Sequence, residues 1–221
     1  AIYEDRAGLL WFGTEQNGLN KLDPAANVFA HYRHDPTSTR SLPHNNVVCF
    51  GAGRSGQLWI GTPEGLARFD PASESFTSFQ GARYGPPLTR SWKMHTDRSG
   101  MVWIGTASRG LFKFDPTAER FTRYLHDPND PQSLAHDYVT DIYEGPSGGL
   151  WINTRSGLNK YDPATGKLTR YPDDPADTHD LGYQHVGPLL EDRFGTLWFA
   201  SNNGGIDYLE RGGFWQRQAH I

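Results

Sequence analysis

The sequence predicts an all-β fold of repeated four-stranded antiparallel sheets, and three observations carry that expectation. The stretch Gly56-Gln57-Leu58-Trp59-Ile60-Gly61-Thr62 recurs as Gly8–Thr14, Gly100–Thr106, Gly148–Thr154 and Gly195–Ser201, with Trp11, Trp59, Trp103, Trp151 and Trp198 spaced 48, 44, 48 and 47 residues apart. Asp-Pro recurs at a fixed place behind it, at Asp23-Pro24, Asp70-Pro71, Asp115-Pro116 and Asp162-Pro163. The 221 residues include 25 glycines, 15 prolines and 13% aromatics, which suits short strands joined by tight turns. A period of about 45 residues, built of apolar strand residues between turn glycines, is the mark of a β-propeller or β array.

The second copy shows the parse most clearly. Strand A is Asn46 to Phe50, apolar and β-branched. The turn Gly53-Arg54-Ser55-Gly56 follows, its last glycine free to take φ > 0. Strand B is 58–62, and strand C is Leu66-Ala67-Arg68-Phe69 with alternating faces. Asp70-Pro71 turns the chain, Asp bonding its own backbone and Pro pre-setting φ. Strand D is 75–79. In the other copies the A–B turn reads Asp5–Gly8, Asp97–Gly100, Gly145–Gly148 and Asp192–Gly195, and strand D reads 28–32, 120–124 and 168–171. The fifth copy departs after strand C, where Leu209–Gly213 replaces the Asp-Pro turn.

One such sheet cannot bury both of its faces, so neighbours must stack, with the strand-B tryptophan as the wedge between them. The expected architecture is one domain over 1–221, a β-propeller of five four-stranded antiparallel blades at about 1–33, 46–80, 90–125, 138–172 and 184–218. No closing strand is evident at either end, so an arc of a larger, seven-bladed type of ring is expected. The chain starts inside a repeat and reads as a piece of a longer protein.

A net charge of −4, with no basic run, argues against a nucleic-acid surface. A single cysteine, Cys49, excludes an internal disulfide and a cysteine-based zinc site, and reads as a small buried apolar residue. No apolar run approaches the ~20 residues of a membrane helix, and no membrane contact by this segment is expected.

Two segments extend the pattern: Tyr32-Arg33-His34-Asp35-Pro36 leading to Ser41-Leu42-Pro43-His44-Asn45, and Tyr124-Leu125-His126-Asp127-Pro128 leading to Ser133-Leu134-Ala135-His136-Asp137. Joined to Glu-Asp-x-x-Gly-x-Leu-Trp-Ile-Gly-Thr and Gly-Leu-Asn-Lys-φ-Asp-Pro, they resemble the two-component regulator propeller repeat. The resemblance covers essentially the whole chain. The 81–91 loop lacks the His-Asp-Pro signature, and the fifth copy has Ala200-Ser201 for Gly-Thr. It implies an extracytoplasmic, periplasmic sensor segment of a membrane-bound signalling protein such as a hybrid histidine kinase. The partners implied are the remaining blades and signalling domains of the same polypeptide, a homodimer, and a small polar ligand or oligosaccharide.

Residues that recur in every copy serve blade geometry, so an asymmetric ligand should be held by positions that vary. By that test His44 and His136 bond loop backbone and dock Leu42 or Leu134. The nine histidines have no recurrent metal-ligand spacing, so no metal is expected. Neither a nucleophile elbow nor a Gly-rich phosphate loop occurs, so no catalytic residue and no cofactor is expected. The variable positions fall in the B–C and D–A loops, which share one face: Glu15, Gln16, Glu64, Arg83, Trp92, Arg109, Tyr138, Arg155, Tyr183 and Asn202. Arginines, amides and aromatics offer forked donors and stacking surfaces for a polar ligand. The expected function is non-enzymatic ligand sensing. The alternatives are a protein–protein interaction propeller and a propeller lyase or hydrolase.

Overall fold

The computed structural model describes residues 1–81, 91–146, 148–172, 186–201, 205–209 and 215–218. It is built of five four-stranded antiparallel sheets, each a meander in chain order. The first holds β1 (Ile2–Glu4), β2 (Leu10–Gly13), β3 (Leu19–Asp23) and β4 (Val28–Tyr32). The second holds β5 (Cys49–Ala52), β6 (Leu58–Thr62), β7 (Gly65–Asp70) and β8 (Ser75–Gln80). The third holds β9 (Ser91–Thr96), β10 (Val102–Thr106), β11 (Leu111–Asp115) and β12 (Arg120–Tyr124). The fourth holds β13 (Val139–Glu144), β14 (Leu150–Thr154), β15 (Gly157–Asp162) and β16 (Lys167–Pro172). β17 (Val186–Glu191), β18 (Leu197–Ser201), β19 (Gly205–Leu209) and β20 (Trp215–Gln218) complete the fifth. No described helix is long and apolar enough to cross a membrane.

The turns form for the reasons the sequence supplies. Behind strand C, Asp23, Asp70, Asp115 and Asp162 each accept the N–H of the residue two further on, at 2.9, 3.0, 2.8 and 2.9 Å. In the A–B turn, Gly56 takes φ 78°, a left-handed conformation that costs a glycine little. One strand differs from expectation. β5 begins at Cys49 rather than Asn46, because Val47 N–H is already committed to Thr14 O at 2.9 Å, in the loop of the first sheet.

Contacts divide the chain into two compact units, residues 1–104 with 113–122, and residues 105–112 with 123–221. In the first unit the tryptophans wedge one sheet on the next. Trp11 meets Phe69 of the second sheet edge-on at 5.0 Å, and Trp59 meets Phe114 of the third at 5.7 Å. Trp11 joins Leu58, Ile60, Ala67 and Phe69 in one buried cluster, and Trp103 is fully buried. Each buried indole removes a large apolar area from water, so these wedges dominate the packing energy. In the second unit Trp151 clusters with Leu158 and with Leu189 and Leu197 of the fifth sheet. Cys49 is buried.

A second regularity lies across each sheet. Trp11 pairs with Lys21, Trp59 with Arg68 and Trp151 with Lys160 on the neighbouring strand. The cation sits over the indole at 5.9, 5.9 and 4.9 Å respectively, and Lys113 does the same for Trp103 at 5.2 Å. A cationic tip over a π face, on an apolar stem, lets strand C cover the ring without burying a bare charge. In the fifth sheet Tyr208 takes that place, its ring 4.9 Å from that of Trp198.

Candidate functional site

The loop face is assembled by a repeated set of backbone bonds. In the first unit, Gly18 N–H donates to Asn45 O at 2.8 Å, and Asn45 Oδ1 accepts His34 N–H at 2.8 Å. In the second, Gly110 N–H donates to Asp137 O at 2.9 Å, and Asp137 Oδ1 accepts His126 N–H at 2.8 Å. His34 and His126 each donate Nδ1–H to the carbonyl of Leu42 or Leu134, both at 2.7 Å. These carbonyls belong to fully buried leucines, so the ring bond anchors the Ser-Leu segment to the core. His44 and His136 bond loop backbone as expected, their Nδ1 accepting Asn46 N–H at 2.9 Å and Tyr138 N–H at 2.8 Å. The docking of the leucines falls instead to His34 and His126.

Arg170, on β16, grips the second of these loops. Its Nη2 donates to the carbonyls of Asp127, Asp130 and Leu134 at 3.1, 3.0 and 2.9 Å, and Asn159 adds bonds to Ala135 N–H and Ser133 O at 3.0 and 3.1 Å. Neither residue stood out in the sequence. The signal was weak, because the same paired strand positions hold Asn20 and His31 in the first copy, Ala67 and Ser78 in the second and Asp207 and Arg217 in the fifth, so only the combination of Asn159 with Arg170 marks the fourth.

On this frame, three of the expected ligand residues come together in the second unit. Arg109 precedes the Gly110–Asp137 bond, and Tyr138 follows it. Arg155 N–H donates to Tyr138 O at 3.0 Å, so the turn between β14 and β15 abuts the entry to β13. Arg109 is itself pinned, its N–H on Thr106 Oγ1 at 2.9 Å and its carbonyl accepting Arg123 Nε–H at 2.9 Å. Arg155 is exposed, and Arg109 and Tyr138 are half-buried. Burial pushes the His136 imidazole below its ordinary value, and the charges of Arg155 and His126 act in the same direction against Asp137. A neutral His136 is also what its accepting Nδ1 requires.

The remaining expected residues are less convergent. Glu15 and Gln16 are exposed on the loop from Thr14 to Gly18, beside Asn17, whose Oδ1 accepts Arg33 Nη2–H at 3.4 Å. Glu64 is exposed in the turn between β6 and β7, and among the described residues no hydrogen bond links it to Glu15 or Gln16. Trp92 is the second residue of strand β9 rather than part of a loop. Arg83, Tyr183 and Asn202 lie outside the described residues. Among the described residues no group of three His, Cys, Asp or Glu side chains could hold a metal ion.

Five four-stranded meanders, each carrying its tryptophan on the second strand, define a β-propeller built of repeated blades. The family model of the two-component regulator propeller matches residues 1–16, 41–64 and 133–156, within the first, second and fourth of these sheets and the loops that lead into them. The second and third matches start at Ser41-Leu42 and Ser133-Leu134 and run into the Leu-Trp-Ile strand, so the anchored loop and the wedge belong to one unit. No protein of curated function matches the chain. The extracellular domain of a hybrid two-component system from B. thetaiotaomicron shares the fold at a TM-score of 0.74 and 21% identity, over 100% of this chain and 28% of that one. A second such domain from the same organism gives 0.70 and 23%, over 100% of this chain and 30% of that one. Virginiamycin B lyase from Staphylococcus aureus gives 0.68 and 15%, over 98% of this chain and 68% of that one. The chain thus spans under a third of either extracellular domain.

Proposed function

We propose that this chain is a non-enzymatic segment of a larger sensor propeller, on the extracytoplasmic side of a membrane, that binds a small polar ligand on its loop face. Bound ligand would favour one arrangement of the signalling domains or dimer to which the propeller is joined. The observation that carries the reading is the convergence of Arg109, Tyr138 and Arg155, held by the Gly110–Asp137 and Arg155–Tyr138 backbone bonds. Two arginines and a tyrosine on abutting backbone segments offer forked donors and a stacking surface that suit a ligand rich in hydroxyls or carboxylates, such as a saccharide or sugar acid. The recurring histidines bond loop backbone and the aspartates behind strand C bond turn amides, which supports a structural role for them. Further blades of the same polypeptide fit the outer face of the first sheet. Ile2 and Phe29 are 76% and 56% exposed there, whereas Leu58 and Ile60, on the corresponding face of the second sheet, are buried against Trp11.

Thermal denaturation against a panel of mono- and oligosaccharides and organic acids tests the reading. At least one compound should raise Tm saturably, and Arg155→Ala should abolish that response. No shift with any member, together with capture of a protein partner, would replace the reading with an interaction module. Turnover of a panel member would replace it with a lyase or hydrolase.

A further inference from the structure

The A–B end of the second sheet departs from the pattern of the other sheets. In the first, third and fifth sheets an aspartate six residues before the tryptophan accepts the indole N–H: Asp5 from Trp11 at 2.8 Å, Asp97 from Trp103 at 2.7 Å and Asp192 from Trp198 at 2.9 Å. The other carboxylate oxygen accepts turn amides, from Leu9, Met101 and Thr196, each at 3.0 Å. In the second and fourth sheets that position is Gly53 or Gly145, which has no side chain to offer. In the fourth sheet a neighbour fills the gap. Glu191, buried on β17, places Oε2 where a side chain at Gly145 would begin. Three of the five tryptophan turns therefore bond an aspartate, and the fourth has a neighbour's carboxylate in the vacant place.

The second sheet lacks one from either source. The residue matching Glu191, one before the turn aspartate on the next sheet, is Thr96, short and uncharged. What remains beside Trp59 is a cleft of about 100 Å³ lined by Arg54, Arg68, Thr96, Ser99 and Gln57. Arg68 Nε and Thr96 Oγ1 are both buried without a hydrogen-bond partner among the described residues. Arg54 Nη2 bonds Ser99 O across the mouth, which fixes a second guanidinium at the opening. Asp97 of the adjoining turn is taken by Ser99, Met101 and Trp103, and Asp70, whose carboxyl feels the Arg68 charge, is held by Ala72 and Ser73 of its own turn. Two guanidiniums, one of them with a buried Nε–H left unbonded, and a hydroxyl surround an indole whose counterparts in three other sheets meet an aspartate, so donors outnumber acceptors here.

We propose that this cleft binds a small organic carboxylate, whose two oxygens take the place of the missing aspartate between Trp59 and the guanidiniums of Arg54 and Arg68. A planar two-oxygen anion matches the forked donors as the aspartate matches the turn. The volume falls well below the roughly 300–1,000 Å³ of a pocket that encloses a drug-sized ligand, so the acid's head enters and the rest stays in solvent. This cleft lies at the A–B turns, at the other end of the second sheet's strands from its B–C loop, and stands independently of the loop-face reading.

Indole ¹H–¹⁵N spectra of the chain test it, with succinate and acetate as probes and Trp59→Phe to assign the peak. Either acid should shift the Trp59 indole resonance saturably while those of Trp11 and Trp103, whose acceptors are in place, stay fixed and report an intact fold. Arg54→Gln and Arg68→Gln should each weaken binding about tenfold. Thr96→Glu, which puts a carboxylate at the position that Glu191 holds in the fifth sheet, should fill the cleft and abolish the response, and Arg155→Ala should leave it unchanged. No saturable shift, an equal response to chloride, sulfate or phosphate, or binding indifferent to both arginine substitutions would overturn the proposal.

Discussion

At the scale of the residue, the pairing of aspartate and tryptophan decides how well a blade holds its wedge. Trp103 is fully buried, and its indole N–H has been taken from water, so its acceptor matters more than an exposed bond would. Asp97→Ala leaves that N–H and the Met101 amide without their acceptor and should cost ~1–3 kcal/mol of unfolding free energy. Trp103→Ala removes the wedge itself and should cost ~3–5 kcal/mol. A double-mutant cycle separates the two roles. In a Trp103→Phe background, where no indole N–H remains, Asp97→Ala should cost measurably less, and only the turn amide's share persists. Urea titrations of the four proteins provide the measurement. An unchanged cost in the Phe background would show that the carboxylate serves the turn alone.

At the scale of the element, each blade is a short meander whose hairpins rest on residues in left-handed backbone. Gly110 has φ 75°, and a Cβ there would strike Tyr124 O, whereas Gly166 has φ 72° with nothing within 4 Å of that place. Gly166→Ala should therefore cost ~1 kcal/mol, the backbone strain alone. Gly110→Ala should cost more than about 2 kcal/mol and displace Arg109 with it, since the clash is with backbone. Chemical denaturation gives both values. Equal losses would mean that the loop yields without strain. These hairpins were largely legible in the sequence, because Asp-Pro, the turn glycines and the alternation in Leu-Ala-Arg-Phe are local signals. Less legible was whatever depends on a neighbouring sheet. The start of β5 was set by a bond from Val47 to Thr14, and the grip of Arg170 spans 36 to 43 residues of sequence. At the loop face, Arg109, Tyr138 and Arg155 were found as variable positions on a repeating frame. The cleft beside Trp59 was missed, although its signal was present: the A–B turn aspartate becomes Gly53, an absence that means little until the partner of the other aspartates is seen.

At the scale of the whole molecule, turn carboxylates and His136 act on stability through protons. Asp35, Asp70, Asp162 and Asp192 are all held below the ordinary carboxylate value of 3.8. The leading causes are the hydroxyl of Thr37, the amide of Ala72, the hydroxyl of Thr165 and the indole N–H of Trp198, in that order of residue. His136 is held below the ordinary imidazole value of 6.5, chiefly by burial. Both kinds of group bind protons more readily in the unfolded chain, so stability must rise with pH in two separate windows. The carboxylate contribution is fully present above 3.8 and fades as pH falls through the depressed folded values. The His136 contribution is complete above 6.5 and fades as pH falls below it, because protonating Nδ1 breaks the bond from Tyr138 N–H. Unfolding free energies measured from pH 2 to 8 should thus show two rising limbs. His136→Asn should flatten the upper limb and leave the lower one. The threefold variant Asp35→Asn, Asp70→Asn, Asp162→Asn should flatten much of the lower limb, since the asparagine oxygen keeps the turn-amide bond but does not titrate. Asp192 is left in place because its second oxygen accepts the Trp198 indole N–H, which an asparagine NH2 cannot do. A His136→Asn profile that retains its upper limb would assign that limb to another group and separate the loop face from the pH response.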